Sequence, residues 1–174
     1  MSGTLTLPSL RNLTAADRGR IEEISRAVGL FRTDEILVAL EVFDGATAGS
    51  AMAGSPDYLA LGAEQDGRLA GWICWGPTPC TLGTYDLYWM AVDPALHGAG
   101  IGTALLHAME SRLAGLARLI VVETAGRSDY APTRGFYEGR GYRAVSRIPD
   151  FYAPGDDQVV YTKAFAARPP GESP

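Results

Sequence analysis

The stretch from Met90 to Thr103 constrains this chain more than any other. Tyr85–Val92 is rich in aromatic and branched side chains and predicts a strand, which Asp93-Pro94 ends. His97-Gly98-Ala99-Gly100-Ile101-Gly102-Thr103 then leads into a helix, about Thr103 to Gly115, with Leu105, Leu106, Met109 and Leu113 on one face. Glycine tolerates positive φ and lets another group approach the main chain closely. At a helix start it leaves N–H donors accessible, and the helix dipole adds about half a positive charge there. Such a concavity binds phosphate without Lys or Arg. The same glycines would also serve as a plain tight connection, and spacing alone leaves both readings open.

The rest of the chain predicts an α/β fold. Thr14, with Asp17 in the capping-box position, starts a helix through Ile21, Ile24 and Val28 that Gly29 ends. Thr33 caps a second, through Ile36, Leu37, Leu40 and Val42-Phe43 to Asp44-Gly45, and the small residues Ala46–Ser55 predict a mobile loop. Tyr58–Glu64 and Leu69–Trp75 read as a hairpin about Asp66-Gly67, followed by a loop over Pro77–Thr84. Arg118–Thr124 is apolar enough for a strand buried on both faces. Pro132 starts a helix ending near Gly139–Gly141, and the strands Tyr142–Ile148 and Gln158–Phe165 flank a loop over Pro149–Asp157. With no repeat or linker to divide the chain, 1–166 is expected to form one domain and 167–174 a flexible tail.

At 174 residues, folding buries roughly 70% of the extended-chain surface, so the core needs no disulfide or metal staple. Twenty acids against fifteen bases give a net charge of −5, which argues against a general nucleic-acid binder. Cys74 and Cys80 fit neither a disulfide framework nor a zinc motif, and His97 and His107 are the only histidines, so no metal is expected. No apolar run approaches the ~18 residues that cross a bilayer, and Met1–Leu10 lacks a signal-peptide pattern. The expectation is a cytoplasmic protein with neither membrane nor nucleic acid as partner.

The identity of the phosphate ligand can be narrowed. A Walker loop needs Gly-Lys-Ser/Thr, and this stretch has no lysine. A dinucleotide fingerprint needs a glycine where Thr103 stands and a start directly after the strand, although Glu123 imitates the acid that would grip a ribose. An NAD(P)-binding oxidoreductase is therefore the weaker reading.

The stretch resembles the acetyl-CoA-binding signature of the Gcn5-related N-acetyltransferase superfamily, Gln/Arg-x-x-Gly-x-Gly/Ala after a strand ending in Ala-Val. Ala91-Val92-Asp93-Pro94 precedes His97-Gly98-Ala99-Gly100-Ile101-Gly102-Thr103-Ala104-Leu105-Leu106, with His97 where the signature carries Gln or Arg. The likeness continues through Val122-Glu123-Thr124 and Phe136-Tyr137-Glu138-Gly139-Arg140-Gly141-Tyr142 and covers about Tyr58 to Phe165. It implies a mixed, mostly antiparallel central sheet with helices on both faces, in which a splayed parallel pair, Tyr85–Val92 and Arg118–Thr124, forms a V-shaped acetyl-CoA cleft. It further implies that main-chain groups of Met90, Ala91 and Val92 meet the pantetheine and thioester. The amides of Gly98, Ala99, Gly100, Ile101, Gly102 and Thr103, beside His97, would hold the pyrophosphate, and the Val92 N–H would polarise the acetyl carbonyl.

The implied activity is transfer of the acetyl group of acetyl-CoA to a primary amine by direct attack in a ternary complex. Tyr137 matches the tyrosine that reaches the cofactor sulfur and protonates the thiolate; as pattern alone, Phe136 and Tyr137 are core aromatics. Asp86 and Glu123, on the two strands of the V, are the candidate bases, with Tyr85 and Tyr88 able to order a water chain. Their bland alternatives are an exposed strand-start acid and a partner for a helix end or Arg. His107 reads as a residue on a solvated helix face. The stretch Asp150-Phe151-Tyr152-Ala153-Pro154-Gly155-Asp156-Asp157 resembles a loop of some bacterial members, either a substrate-side wall whose acids attract an amine or a hairpin turn with two buried rings. The acceptor stays open among amino acids, polyamines, other small amines and peptide or protein amines. A homodimer would accord with the superfamily, and the rival reading from another class is a CoA-binding sensor that transfers nothing.

Overall fold

The Thr14 N–H donates to Asp17 Oδ2 at 2.8 Å, and this reciprocal contact opens a short 3-10 turn, Ala15–Asp17, that runs into α1 (Arg18–Val28). Gly29 closes α1 in the left-handed region at φ 71°. The computed structural model describes residues 8–48 and 58–165, which form two units, one of 8–48, 58–76 and 88–112, the other of 77–87 and 113–165. The tail expected over 167–174 lies outside the described residues, as does the loop expected over 46–55 except its first three residues, which belong to the helix Thr33–Ala48.

The first unit holds β1 (Ser9–Asn12), α1, α2 (Thr33–Ala48), β2 (Leu59–Gln65), nearly all of β3 (Arg68–Pro77), the second half of β4 (Thr84–Val92) and nearly all of α3 (Ile101–Leu113). Its strands follow the order β1-β2-β3-β4. The β2–β3 hairpin turns at Asp66 (φ 52°) and Gly67 (φ 75°), two consecutive left-handed residues as a two-residue type I′ turn requires. Ile21, Ile24, Ile36, Leu40, Phe43 and Trp72 are buried together, Phe43 meeting Trp72 edge to face at 6.2 Å. α2 runs past Asp44-Gly45, where the sequence suggested its end. Gly45 there allows close approach: a Cβ would lie 3.2 Å from Cδ2 of Tyr58.

The second unit holds the first half of β4, β5 (Leu119–Ala125), α4 (Ala131–Glu138), β6 (Arg143–Ala153) and β7 (Asp156–Ala164), with strands in the order β4-β5-β7-β6. β4 and β5 are parallel, from Thr84↔Leu119 to Leu87↔Val122, whereas β5–β7 and β6–β7 are antiparallel. β5 is not buried on both faces: Ile120, Val122 and Thr124 are, while Leu119, Val121 and Glu123 on the other side are not. The expected loop over Pro149–Asp157 is mostly strand, with only Pro154-Gly155 between β6 and β7. The hairpin ladder shifts register between Ile148 and Ala153, near Asp150 at φ 53°. Among the described residues no helix is long and apolar enough to cross a membrane.

A Cβ on Gly62 of β2 would stand 2.6 Å from both Leu13 Cδ2 and Leu69 Cδ1, so these two buried leucine side chains would have to shift to admit one. Gly62→Val is expected to lower unfolding free energy by about 1–3 kcal/mol through overpacking. Urea denaturation checks this, and an unchanged midpoint would contradict the packing described.

Candidate active site

In the first unit the end of β4 is anchored at Asp93. Its N–H donates to Ala70 O on β3 at 2.8 Å, and its carboxylate accepts from the Ala95 N–H at 3.0 Å and pairs with Arg20 of α1. Arg20 Nε also donates to Leu69 O at 3.0 Å, so one guanidinium ties α1, β3 and the strand end together. A 3-10 turn, Pro94–Leu96, leads to His97, whose Nε2 lies 3.0 Å from Val92 O; a carbonyl only accepts, so the bond requires the proton on Nε2.

Gly98 (φ 84°) and Gly100 (φ 82°) then take left-handed conformations that side chains disfavour, and a Cβ at either would meet nothing within 4 Å. Ala104 N–H donates to Gly100 O at 2.9 Å as the first regular helical bond. The amides of Ile101 and Gly102 precede it and point out along the helix axis. Open space beside two positive-φ glycines and a 13-residue helix start is the geometry of an anion cradle. Met90, Ala91 and Val92 lie on the last turnings of β4 before it, beyond Leu87, where the β4–β5 pairing stops.

The second unit carries Asp86, Glu123 and Tyr137. Strand alternation and register put Asp86 (opposite Val121), Glu123 (opposite Val160), Gln158 and Asp156 on one face of its sheet. Asp86 Oδ2 accepts from Thr78 Oγ1 at 2.7 Å, and Glu123 Oε2 accepts from Gln158 Nε2 at 2.8 Å. Partial burial holds the Glu123 carboxyl above its ordinary range, the nearby Asp86 charge adds to this, and the Gln158 hydrogen bond opposes it. The opposite face is apolar and α4 covers it: Tyr161, opposite Val122, donates its hydroxyl to Glu138 Oε1 at 2.8 Å.

Tyr137 on α4 is buried, edge to face with Phe136 at 5.3 Å and Tyr142 at 5.5 Å. Burial pushes its phenol well above the usual value of about 10, with Tyr130 a lesser cause. Asp86 and Glu123 are thus brought together, and Tyr137 belongs to the other side of the same sheet. His107 is exposed on α3. The acids suggested as attractors for an amine have other partners: Asp156 meets Arg127 at 3.3 Å, and Asp157 meets Arg147 at 2.5 Å and the Asp150 N–H at 3.0 Å. Phe151 is exposed rather than buried. Thr78, Gln158 and Arg20 were not singled out in the sequence, because their relevance depends on register and tertiary contact.

A profile of the acetyltransferase (GNAT) domain matches residues 56–144. The chain belongs to the GNAT acetyltransferase family. A solved GNAT-family protein from Desulfovibrio desulfuricans is 37% identical, with a TM-score of 0.77 over 90% of this chain and 98% of that one. An uncharacterized N-acetyltransferase from Methanocaldococcus jannaschii is 32% identical over 106 residues, which are 58% of this chain and 63% of that relative. The chain therefore spans under two thirds of that curated relative's length. The fold is also that of YncA from Salmonella typhimurium, solved with acetyl-CoA, at a TM-score of 0.71 and 17% identity over 97% and 99% of the two chains. The glycine cradle and both parallel-strand acids fall inside the stretch matched by the GNAT profile.

Arg20, and next the Ala95 N–H, hold the Asp93 carboxyl below its ordinary range. A depressed folded pKa means that the unfolded chain binds more protons as pH falls. The associated stability is full above the unfolded value of about 3.9 and is lost as pH falls through the folded value. Asp93→Asn is expected to lower stability at pH 7 and to flatten its decline below pH 4, read from urea midpoints across that range. A pH slope identical to that of the unsubstituted chain would contradict this role for Asp93.

Proposed function

We propose that this GNAT chain transfers the acetyl group of acetyl-CoA to a primary amine, by direct attack within a ternary complex. The observation that carries the reading is the pair of left-handed glycines, Gly98 and Gly100, with open space beside them at the start of α3. In this proposal the amides of Gly98, Gly100, Ile101 and Gly102, with His97 beside them, hold the pyrophosphate, the Ala99 N–H expected among them being spent instead on Leu96 O at 3.2 Å, and main-chain groups of Met90, Ala91 and Val92 align the pantetheine arm like an added strand. The Val92 N–H donates to the acetyl oxygen as charge develops there.

The chemistry asks for two proton movements. A lysine-like ammonium, pKa ~10.4, must lose a proton before its nitrogen can attack the carbonyl carbon. Glu123 is our choice for that base, with Asp86 beside it, because a carboxyl held above its usual range is a better acceptor near neutral pH. As the nitrogen–carbon bond forms, the carbon–sulfur bond breaks and the electron pair leaves on sulfur, which takes up the second proton that the nitrogen sheds as it becomes an amide. Tyr137 stays protonated at working pH because burial raises its phenol. Full transfer from that phenol to a thiolate of pKa ~8.5 is uphill, so its contribution is a hydrogen bond to the developing sulfur charge. A reduced, cytoplasmic setting fits the free thiols: Cys80 is exposed and Cys74 is buried, its thiol pushed up to about 12.

Acetyl-CoA is expected to raise the melting temperature and, with an accepted amine from a panel, to release CoA with a product heavier by one acetyl group. Binding without amine-dependent CoA release would favour the sensor. Tyr137→Phe is expected to lower kcat about 10²-fold at unchanged acetyl-CoA affinity, and an unchanged kcat would remove it from the reaction. Gly100→Val, forced into a positive φ and filling the open space, is expected to weaken acetyl-CoA binding at least tenfold by calorimetry. Intact affinity would count against the cradle.

A further inference from the structure

Gln158 is 4% exposed and stands opposite Ala125 across the β5–β7 ladder. From there its side-chain amide reaches diagonally along the face to Glu123 Oε2 at 2.8 Å. Among the described residues no other hydrogen-bond donor and no cation is paired with Glu123. The groups facing it are Asp86 from β4, held at Oδ2 by Thr78, and Gln158 and Val160 from β7. The next carboxylate along that face, Asp156, is paired with Arg127.

We propose that Gln158 is a positioning residue for Glu123: by donating to Oε2 it immobilises the carboxylate and directs the incoming amine proton to Oε1. The inference rests on the acetyl-transfer reading above. A neutral amide is the side chain that does this without disabling a base. A Lys or Arg at the same place would orient the carboxylate but bind its charge so strongly that it would no longer take a proton near pH 7. An apolar residue would leave the carboxylate free to rotate. Because an amide N–H meets Oε2 with its proton, a proton arriving at Glu123 goes to the other oxygen. Asp86 acts in the opposite electrostatic sense, its charge favouring the protonated form of Glu123.

The test follows the Glu123 carboxyl directly by carbon-detected NMR on glutamate-labelled protein, alongside the pH profile of kcat/KM. In Gln158→Met the Glu123 midpoint is expected to rise and the acidic limb of the profile to rise with it, with kcat/KM at pH 6 falling roughly three- to tenfold. In Asp86→Asn both midpoints move down. In the unsubstituted protein the Gln158 side-chain amide resonances should titrate together with Glu123, a reading that needs no variant to fold. A Gln158→Met protein that is less active while its acidic limb and Glu123 midpoint stay put would overturn the inference, as would Gln158 resonances indifferent to Glu123. A Glu123 midpoint that moves as expected in a protein that acetylates no amine would instead overturn the function reading.

Discussion

Asp93 is the point on which the first unit's functional geometry depends. A strand ends there, and its backbone and side chain are held from separate directions: Ala70 O takes its N–H, Arg20 pairs with its carboxylate, and the Ala95 N–H caps the turn. Each contact is modest alone, since exposed ion pairs contribute little. Here they converge on one residue that is largely shielded, and Arg20 is shared with the Leu69 carbonyl. The left-handed glycines stand five and seven residues on, so this anchored strand end fixes where the junction begins.

The second unit solves a different problem by strand alternation. Period-two alternation sends Ile120, Val122, Thr124, Val159 and Tyr161 to one face and Asp86, Glu123, Gln158 and Asp156 to the other. α4 covers the first face, and with it Tyr137 is buried among Phe136 and Tyr142. Buried carboxylates would have to be paired or neutral. The sheet meets this for the buried Asp156 by pairing it with Arg127, whereas Glu123, which is not buried, receives only an amide and keeps a proton more readily. The carboxylate with the cation is structural, and the one without it is the better candidate for moving protons.

The glycine-rich junction, the first helix with its capping Thr14 and Gly29, and the Asp66-Gly67 hairpin were legible because each is encoded within a few neighbouring residues. Two readings failed where a local signal met a tertiary demand. Gly45 looks like a helix stop but lies inside α2, where the Tyr58 ring packs 3.2 Å from the place a Cβ would take. Pro149 and Gly155 look like one long loop, yet β6 and β7 extend through most of it, with a register shift absorbing the irregularity. Glu123 could be named from its strand and the family likeness, but Gln158 could not. Its hydrogen bond to Glu123 forms only because the antiparallel register brings residues 35 apart in sequence onto one face.

The overall charge of −5 would oppose a ligand carrying phosphates if it acted at the cradle. Distance settles the question. Charges more than about 8 Å apart are largely screened at physiological ionic strength, whereas amide donors at a helix start act on a phosphate oxygen at about 3 Å. Around Gly98–Thr103 the chain has no acidic side chain between Asp93 and Glu110, and the carboxylate of Asp93 is already paired with Arg20. Local dipoles, not the net charge, therefore set the potential at the cradle, and a net negative chain is compatible with phosphate there.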